Sequence, residues 1–189
     1  MPVMMTTMAA PNSFTEPIQR ARRPDDVATL AFAGVIAMAL RAGRRPLIRG
    51  LSEEAFQELL NEVFAGLALD NGTAPAGRKA DADEFDELVE LLIASRATDG
   101  EPDTWLAYAV ASAAMGENHL WQDMGLPSRK VLSQLMRTHF STLAAKNTGD
   151  MKWKKFFYRQ LCERANVPIC KSPHCAECCD YSICFGAKD

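Results

Sequence analysis

All six cysteines of the chain lie beyond residue 161: Cys162, Cys170, Cys175, Cys178, Cys179 and Cys184. Five of them fall within the fifteen residues 170–184. Ahead of them runs a long cysteine-free body. A secreted disulfide scaffold spreads its bridges through a chain too small to bury a core. Here 189 residues with 48% hydrophobic content can build a core unaided. The crowding therefore favours a metal site in a reducing compartment over a disulfide framework.

The body reads as helical throughout. Residues 1–23 show no period and read as a flexible tail. A first helix is expected from Pro24–Asp25 to about Arg41, apolar almost all round and hence central. Ser52 reads as the N-cap of a second helix, with Leu51 and Phe56 at the positions of a hydrophobic staple and Gly66 as its stop. Residues 70–77 read as a loop of variable length. Asp81 and Glu84 resemble a capping box ahead of Phe85, Leu88, Leu91 and Leu92, with Asp83, Asp86, Glu87 and Glu90 as a solvated face. An alanine-rich helix follows from Asp103 to Met115. A short helical turn ends at Gly125, and Ser128 caps a helix whose inward face is Val131, Leu132, Leu135 and Met136. Residues 139–147 form another short helix. Met151 to Arg164 form the last, with Trp153, Phe156, Phe157 and Leu161 on its apolar face. No segment alternates at period two, and no Gly-rich phosphate loop or Ser-His-Asp spacing occurs. The fold class is thus all-α: a compact domain of six or seven helices over 24–164, then a cysteine-rich metal-binding loop over 165–189.

Charge narrows the partners. The net charge is −3 and the isoelectric point about 5.7, a poor balance for a nucleic-acid binder. Residues 129–164 nevertheless carry nine basic and two acidic side chains. Lys152, Lys154, Lys155 and Arg159 crowd the last helix ahead of the cysteine cluster. This patch either steers an anion or an acidic partner, or serves solubility and the offset of cluster charge. The longest mostly apolar stretch, Val27 to Leu40, is short of the roughly 20 residues a membrane helix needs. Arg22-Arg23 ahead of it resembles a signal peptide, but Asp25 and Asp26 intervene and no small-x-small cleavage site follows. A cytoplasmic protein is expected.

The chemistry sits in Cys170-x4-Cys175-x2-Cys178-x5-Cys184. Four soft, charged thiolates suit zinc or an iron–sulfur cluster, and spacers of two to five residues let one short loop wrap a single centre. Structural zinc sites favour two close pairs, whereas only the Cys175–Cys178 gap is tight here, so the spacing leans toward a cluster while leaving zinc open. Cys179 abuts Cys178, and one of the two is a spare or alternate ligand. Cys162 is read as a small buried hydrophobe, or as an auxiliary thiol. His174 is a candidate auxiliary ligand at an open corner. His119 sits in an irregular segment where binding residues often occur, and His139 reads as an interfacial histidine.

This tetrad follows Met151-Lys-Trp-Lys-Lys-Phe-Phe-Tyr-Arg-Gln-Leu-Cys-Glu163. Together with Glu117-Asn-His-Leu-Trp-Gln-Asp-Met-Gly-Leu-Pro-Ser-Arg129 and His139-Phe-Ser-Thr-Leu-Ala-Ala-Lys-Asn147, it resembles the NifQ family of nitrogen fixation proteins, colinearly from about Asp25 to Gly186. The resemblance implies a non-enzymatic iron–sulfur protein that carries molybdenum in a Mo–Fe–S cluster for nitrogenase iron–molybdenum cofactor assembly. It implies Cys170, Cys175, Cys178 and Cys184 as ligands of a 3Fe-4S or 4Fe-4S type cluster. The implied partners are the cofactor-assembly scaffold complex and the nitrogenase iron protein. Cys179 is an addition within the x5 spacer, and Cys162 falls inside a matched block. The competing class is a zinc-stabilised helical adaptor that only binds partner proteins.

Overall fold

The computed structural model describes residues 16–73 and 79–166. Among them are nine helices and no strand: α1 (Glu16–Gln19), α2 (Val27–Arg41), α3 (Glu53–Val63), α4 (Lys79–Ile93), α5 (Glu101–Ala114), α6 (Leu120–Asp123), α7 (Arg129–His139), α8 (Ser141–Lys146) and α9 (Trp153–Arg164). The all-α expectation holds for these residues, and three of the nine are short pieces of four to six residues. None of the helices is long and apolar enough to cross a membrane.

Helix α2 is the central element its composition foretold. Asp26 caps it, its carboxylate accepting from the Thr29 amide and hydroxyl, both at 3.0 Å. Phe32, Val35, Ile36 and the alanines between them are buried, and α2 packs on α1, α5 and α7. A side chain at Gly34 has no room without a backbone shift: its Cβ would overlap the Met124 carbonyl oxygen. Gly125, at φ +62°, approaches the same Gly34 backbone. The turn between α6 and α7 therefore lies directly on the α2 main chain.

The chain ahead of α2 departs from the expected tail. From residue 16 onward it is ordered onto the body: α1 forms, Pro17 is buried and Ile18 packs against the core. Residues 20–22 lie alongside the end of α3, with Arg22 N–H donating to Val63 O (2.9 Å) and Ala65 N–H to Arg20 O (2.6 Å). The same pairing corrects the end of α3. Phe64 turns extended to bridge Ala21, so the helix closes at Val63 and does not run on to Gly66. Ser52 caps α3 as expected, accepting from Ala55 N–H at 3.2 Å.

The 70–77 loop is not uniformly free. Asn71 is buried, its amide accepting from Ile48 N–H (2.8 Å) and donating to the carbonyls of Ile48 (3.0 Å) and Leu51 (2.9 Å). It thereby satisfies three main-chain groups of the 42–52 connection. Helix α4 begins at Lys79, which puts Asp81 inside the helix and not at its N-cap. Glu84 Oε1 is buried without a hydrogen-bond partner. The expected apolar face of α4, Phe85, Leu88, Leu91 and Leu92, is buried, while Asp83, Asp86 and Glu90 are exposed. Helix α4 packs on α5 and α9, and so carries the last helix of the body.

Candidate functional site

Of the residues singled out in the sequence, Cys170, Cys175, Cys178, Cys184, Cys179 and His174 lie outside the described residues. What the structure places is the helix that leads to them. Helix α9 ends at Arg164, and Asn166 follows in a left-handed conformation (φ +50°), four residues ahead of Cys170 in sequence. An asparagine in that conformation just past a helix is a common stop signal.

The entry to α9 is held as firmly as its exit is marked. Arg129 makes a two-pronged ion pair with Asp150, both contacts at 2.9 Å, and also donates to the carbonyls of Asp150 and Met151. Asn147 brackets Met151, donating to its carbonyl at 3.0 Å and accepting from its N–H at 2.8 Å. Once inside, Trp153, Phe156, Phe157 and Leu161 are buried as expected, with Trp153 edge-on to Phe156 and its indole N–H donating to Ser133 (3.2 Å). Burial does not stop at that face. Tyr158, Gln160 and Cys162 are buried too. At 3.6 residues per turn the buried positions sweep about two-thirds of the helix circumference. Cys162 is 8% exposed, which agrees with its reading as a small buried hydrophobe.

Three members of the basic patch are engaged in internal ion pairs. Arg129 is bound to Asp150, and Arg159 to Glu163 at 2.9 Å, while Gln160 holds the other Glu163 oxygen at 2.8 Å. Lys154 is no surface charge at all. Its ammonium donates to Gly116 O (2.7 Å) and Asp123 Oδ2 (2.5 Å), with side-chain exposures of 16% for Lys154 and 8% for Asp123. Asp123 also accepts from the Asn118 amide N–H and side chain, each at 3.0 Å. A Cβ at Gly116 would come within 2.5 Å of the Asp123 carboxylate. Burial holds the Lys154 ammonium below its ordinary range, partly offset by the hydrogen bond and charge of Asp123, with Arg44 adding to the depression. Steering of an anion by this lysine is therefore not what the geometry provides.

The two histidines of the body separate. His119 precedes α6 and is exposed, and its N–H donates to Gln122 Oε1 (3.2 Å). His139 closes α7, with Nδ1 at 2.7 Å from Asp103 Oδ1. Asp103 in turn accepts from Thr98 N–H (3.0 Å) and Thr98 hydroxyl (2.7 Å). With that carboxylate as acceptor, His139 Nδ1 is the donor, and its buried Nε2 has no hydrogen-bond partner. His139 is thus the interfacial histidine expected. Among the described residues no three of His, Cys, Asp or Glu converge as a metal site. The Lys154–Asp123 pair went unnoticed in the sequence because its members lie 31 residues apart with no shared motif.

Comparison with known proteins follows the same chain segment. The family model described as NifQ matches residues 31–186. The chain is 38% identical over 156 residues to Protein NifQ of Azotobacter vinelandii, covering 76% of this chain and 80% of that one. It is 38% identical over 161 residues to Protein NifQ of Rhodobacter capsulatus, covering 82% and 88%. Against Protein NifQ of Klebsiella pneumoniae it is 38% identical over 155 residues, covering 76% and 89%. No solved structure matches the chain.

Proposed function

Because this chain belongs to the NifQ family, we propose that it acts in nitrogen fixation, as a carrier that presents molybdenum to nitrogenase cofactor assembly on an iron–sulfur cluster. The observation that carries the reading is a four-thiolate donor set, Cys170, Cys175, Cys178 and Cys184, that falls inside the matched span. Soft thiolates fit iron in a sulfide cluster, and four of them close one centre. Once bound, such a cluster supplies bridging sulfides, soft donors that can chelate molybdenum as cargo.

The chain's own part is to hold and to release. Three of the cysteines suffice to fix the irons, and the fourth, with His174 or Cys179 as auxiliaries, is available to exchange at the cargo metal. Weak protein ligation of that metal is what separates a carrier from a resident-cofactor enzyme, and we assign no catalytic residue. The body contributes a rigid mount: α9 is buried on most of its surface and pinned at its N-terminal end before the cysteines begin. Cofactor-assembly scaffold and nitrogenase iron protein are the partners this reading requires, in the cytoplasm where thiolates stay reduced.

The test is metal and sulfide content of protein purified without oxygen from cells supplied with molybdate, with EPR on the same sample. Iron and acid-labile sulfide in cluster proportion, with molybdenum and a paramagnetic signal, are expected. A colourless protein with one zinc and no sulfide overturns the carrier and leaves the zinc-pinned adaptor.

A further inference from the structure

Helix α9 meets the body through two kinds of contact that constrain it differently. Its aromatic face, Trp153, Phe156 and Phe157, is an apolar surface with one polar contact, the Trp153 indole N–H donating to Ser133. Lys154 is directional. Its ammonium is held by two oxygens at once, the Gly116 carbonyl and the Asp123 carboxylate, and both belong to the irregular segment 116–123. That segment is itself fixed. Asn118 binds both Asp123 oxygens, and Met124, which closes α6, has its carbonyl against Gly34 of the central helix. The lysine thus ties α9 to α2 through a short chain of polar and main-chain contacts.

A part-buried lysine is an expensive way to pack a helix, because an apolar side chain of similar volume holds such a place as well or better. What the ion pair adds is orientation. Lys154, Tyr158 and Cys162 stand four residues apart, so they share one stripe of α9. Locking the first sets the azimuth of the last, about 12 Å further along the axis, in the final turn of α9.

We infer that Lys154 and Asp123, steadied by Asn118, are positioning residues that set the register of α9 and thereby the geometry in which the following cysteines close on their cluster. The inference rests on the proposed iron–sulfur reading. It assigns to the Glu117–Met124 segment a part in cluster retention that acts without touching the metal.

The decisive variant is the double substitution Asp123→Asn with Lys154→Met. It removes both charges together and so keeps stability near that of the parent, while losing the directional link. Each form is loaded anaerobically with iron and sulfide, and three quantities are read: melting temperature, EPR line shape, and the rate of iron loss to a ferrous chelator. We expect the double variant to melt close to the parent yet lose iron at least about threefold faster, a conservative figure beside the 10–100-fold effects of outer-sphere substitutions at metal sites. Its EPR lines should broaden. Asn118→Ala, an exposed change that leaves the ion pair in place, should raise the loss rate about twofold by the same argument and keeps the test open if the double variant does not fold. Parental loss rates and EPR lines in either folded variant overturn the inference. A parent chain that takes up no iron or sulfide overturns the cluster reading, and the inference falls with it.

Discussion

Single side chains decide the sharpest expectations. Gly34 faces two opposed effects when replaced by alanine. Helix propensity favours alanine by about 1 kcal/mol, whereas overlap with a main-chain carbonyl that cannot swing away costs about 3 kcal/mol. The steric term wins, so Gly34→Ala should destabilise by about 2 kcal/mol in urea unfolding; a stabilised variant would show that Met124 does not lie on α2. Asn71→Ala strands the Ile48 N–H and two carbonyls in the interior, and about 3 kcal/mol of lost stability is expected. Among the cysteines, Cys175→Ser should lower iron per chain sharply while Cys179→Ser leaves it near parental, read by metal analysis of anaerobic protein. Full retention of iron without Cys175 would sink the ligand assignment. These cysteines were legible because a thiolate announces its chemistry by type and spacing. Lys154 was not, because a lysine reads as solvent-facing until a carboxylate from elsewhere in the chain is brought to it.

At the scale of elements, α9 was half understood from its sequence. Its aromatic face stands where the periodicity put it, but Tyr158, Gln160 and Cys162 are buried as well. The four basic residues that crowd the helix masked a second packed side. The pH dependence follows from this. The folded-state pKa of Lys154 lies below its unfolded value, chiefly through burial. Below the folded value both states are protonated and the full cost of the buried charge is present. As pH rises from there toward about 10.5, the unfolded chain holds the extra proton and stability rises. The difference in unfolding free energy between the parent and Lys154→Met should therefore shift in the parent's favour over that window. A constant difference from neutral pH to about 10.5 would place Lys154 in water. The ends of helices were read less well than their middles. α3 stops early because Phe64 is drawn to Ala21, and α4 starts early, at Lys79, leaving Asp81 within it. The first of these ends is set by a partner outside the local window.

Taken whole, the described residues form a continuous apolar core from Val27 to Leu161. Metal removal should accordingly leave it folded. Anaerobic chelation that strips all iron is expected to change the far-UV circular dichroism by less than about a tenth, in contrast with zinc fingers whose folding is metal binding. Collapse of the helical signal on chelation would show that the cysteine segment is part of the fold. The charge asymmetry of the chain also changes meaning at this scale. Asp123, outside the 129–164 window, takes Lys154, and Asp150 and Glu163 take Arg129 and Arg159, so three of its nine basic side chains are tied into the body while the window stays positive.

Several features were determined by the sequence alone. They are the helical class, the apolar faces of α3, α4, α7 and α9, the caps at Ser52 and Ser128, and the family to which the cysteine tetrad belongs. Each depends on residues within a turn or two of each other, or on a ligand spacing carried by one short segment, so local pattern suffices. Tertiary structure alone decided the burial of Asn71 and Lys154, the contact of Gly34 with Met124, and the second buried side of α9. Those depend on groups 20 to 90 residues apart. Only folding brings such groups together, and the cost of an unpaired buried polar group then dictates which of them must meet.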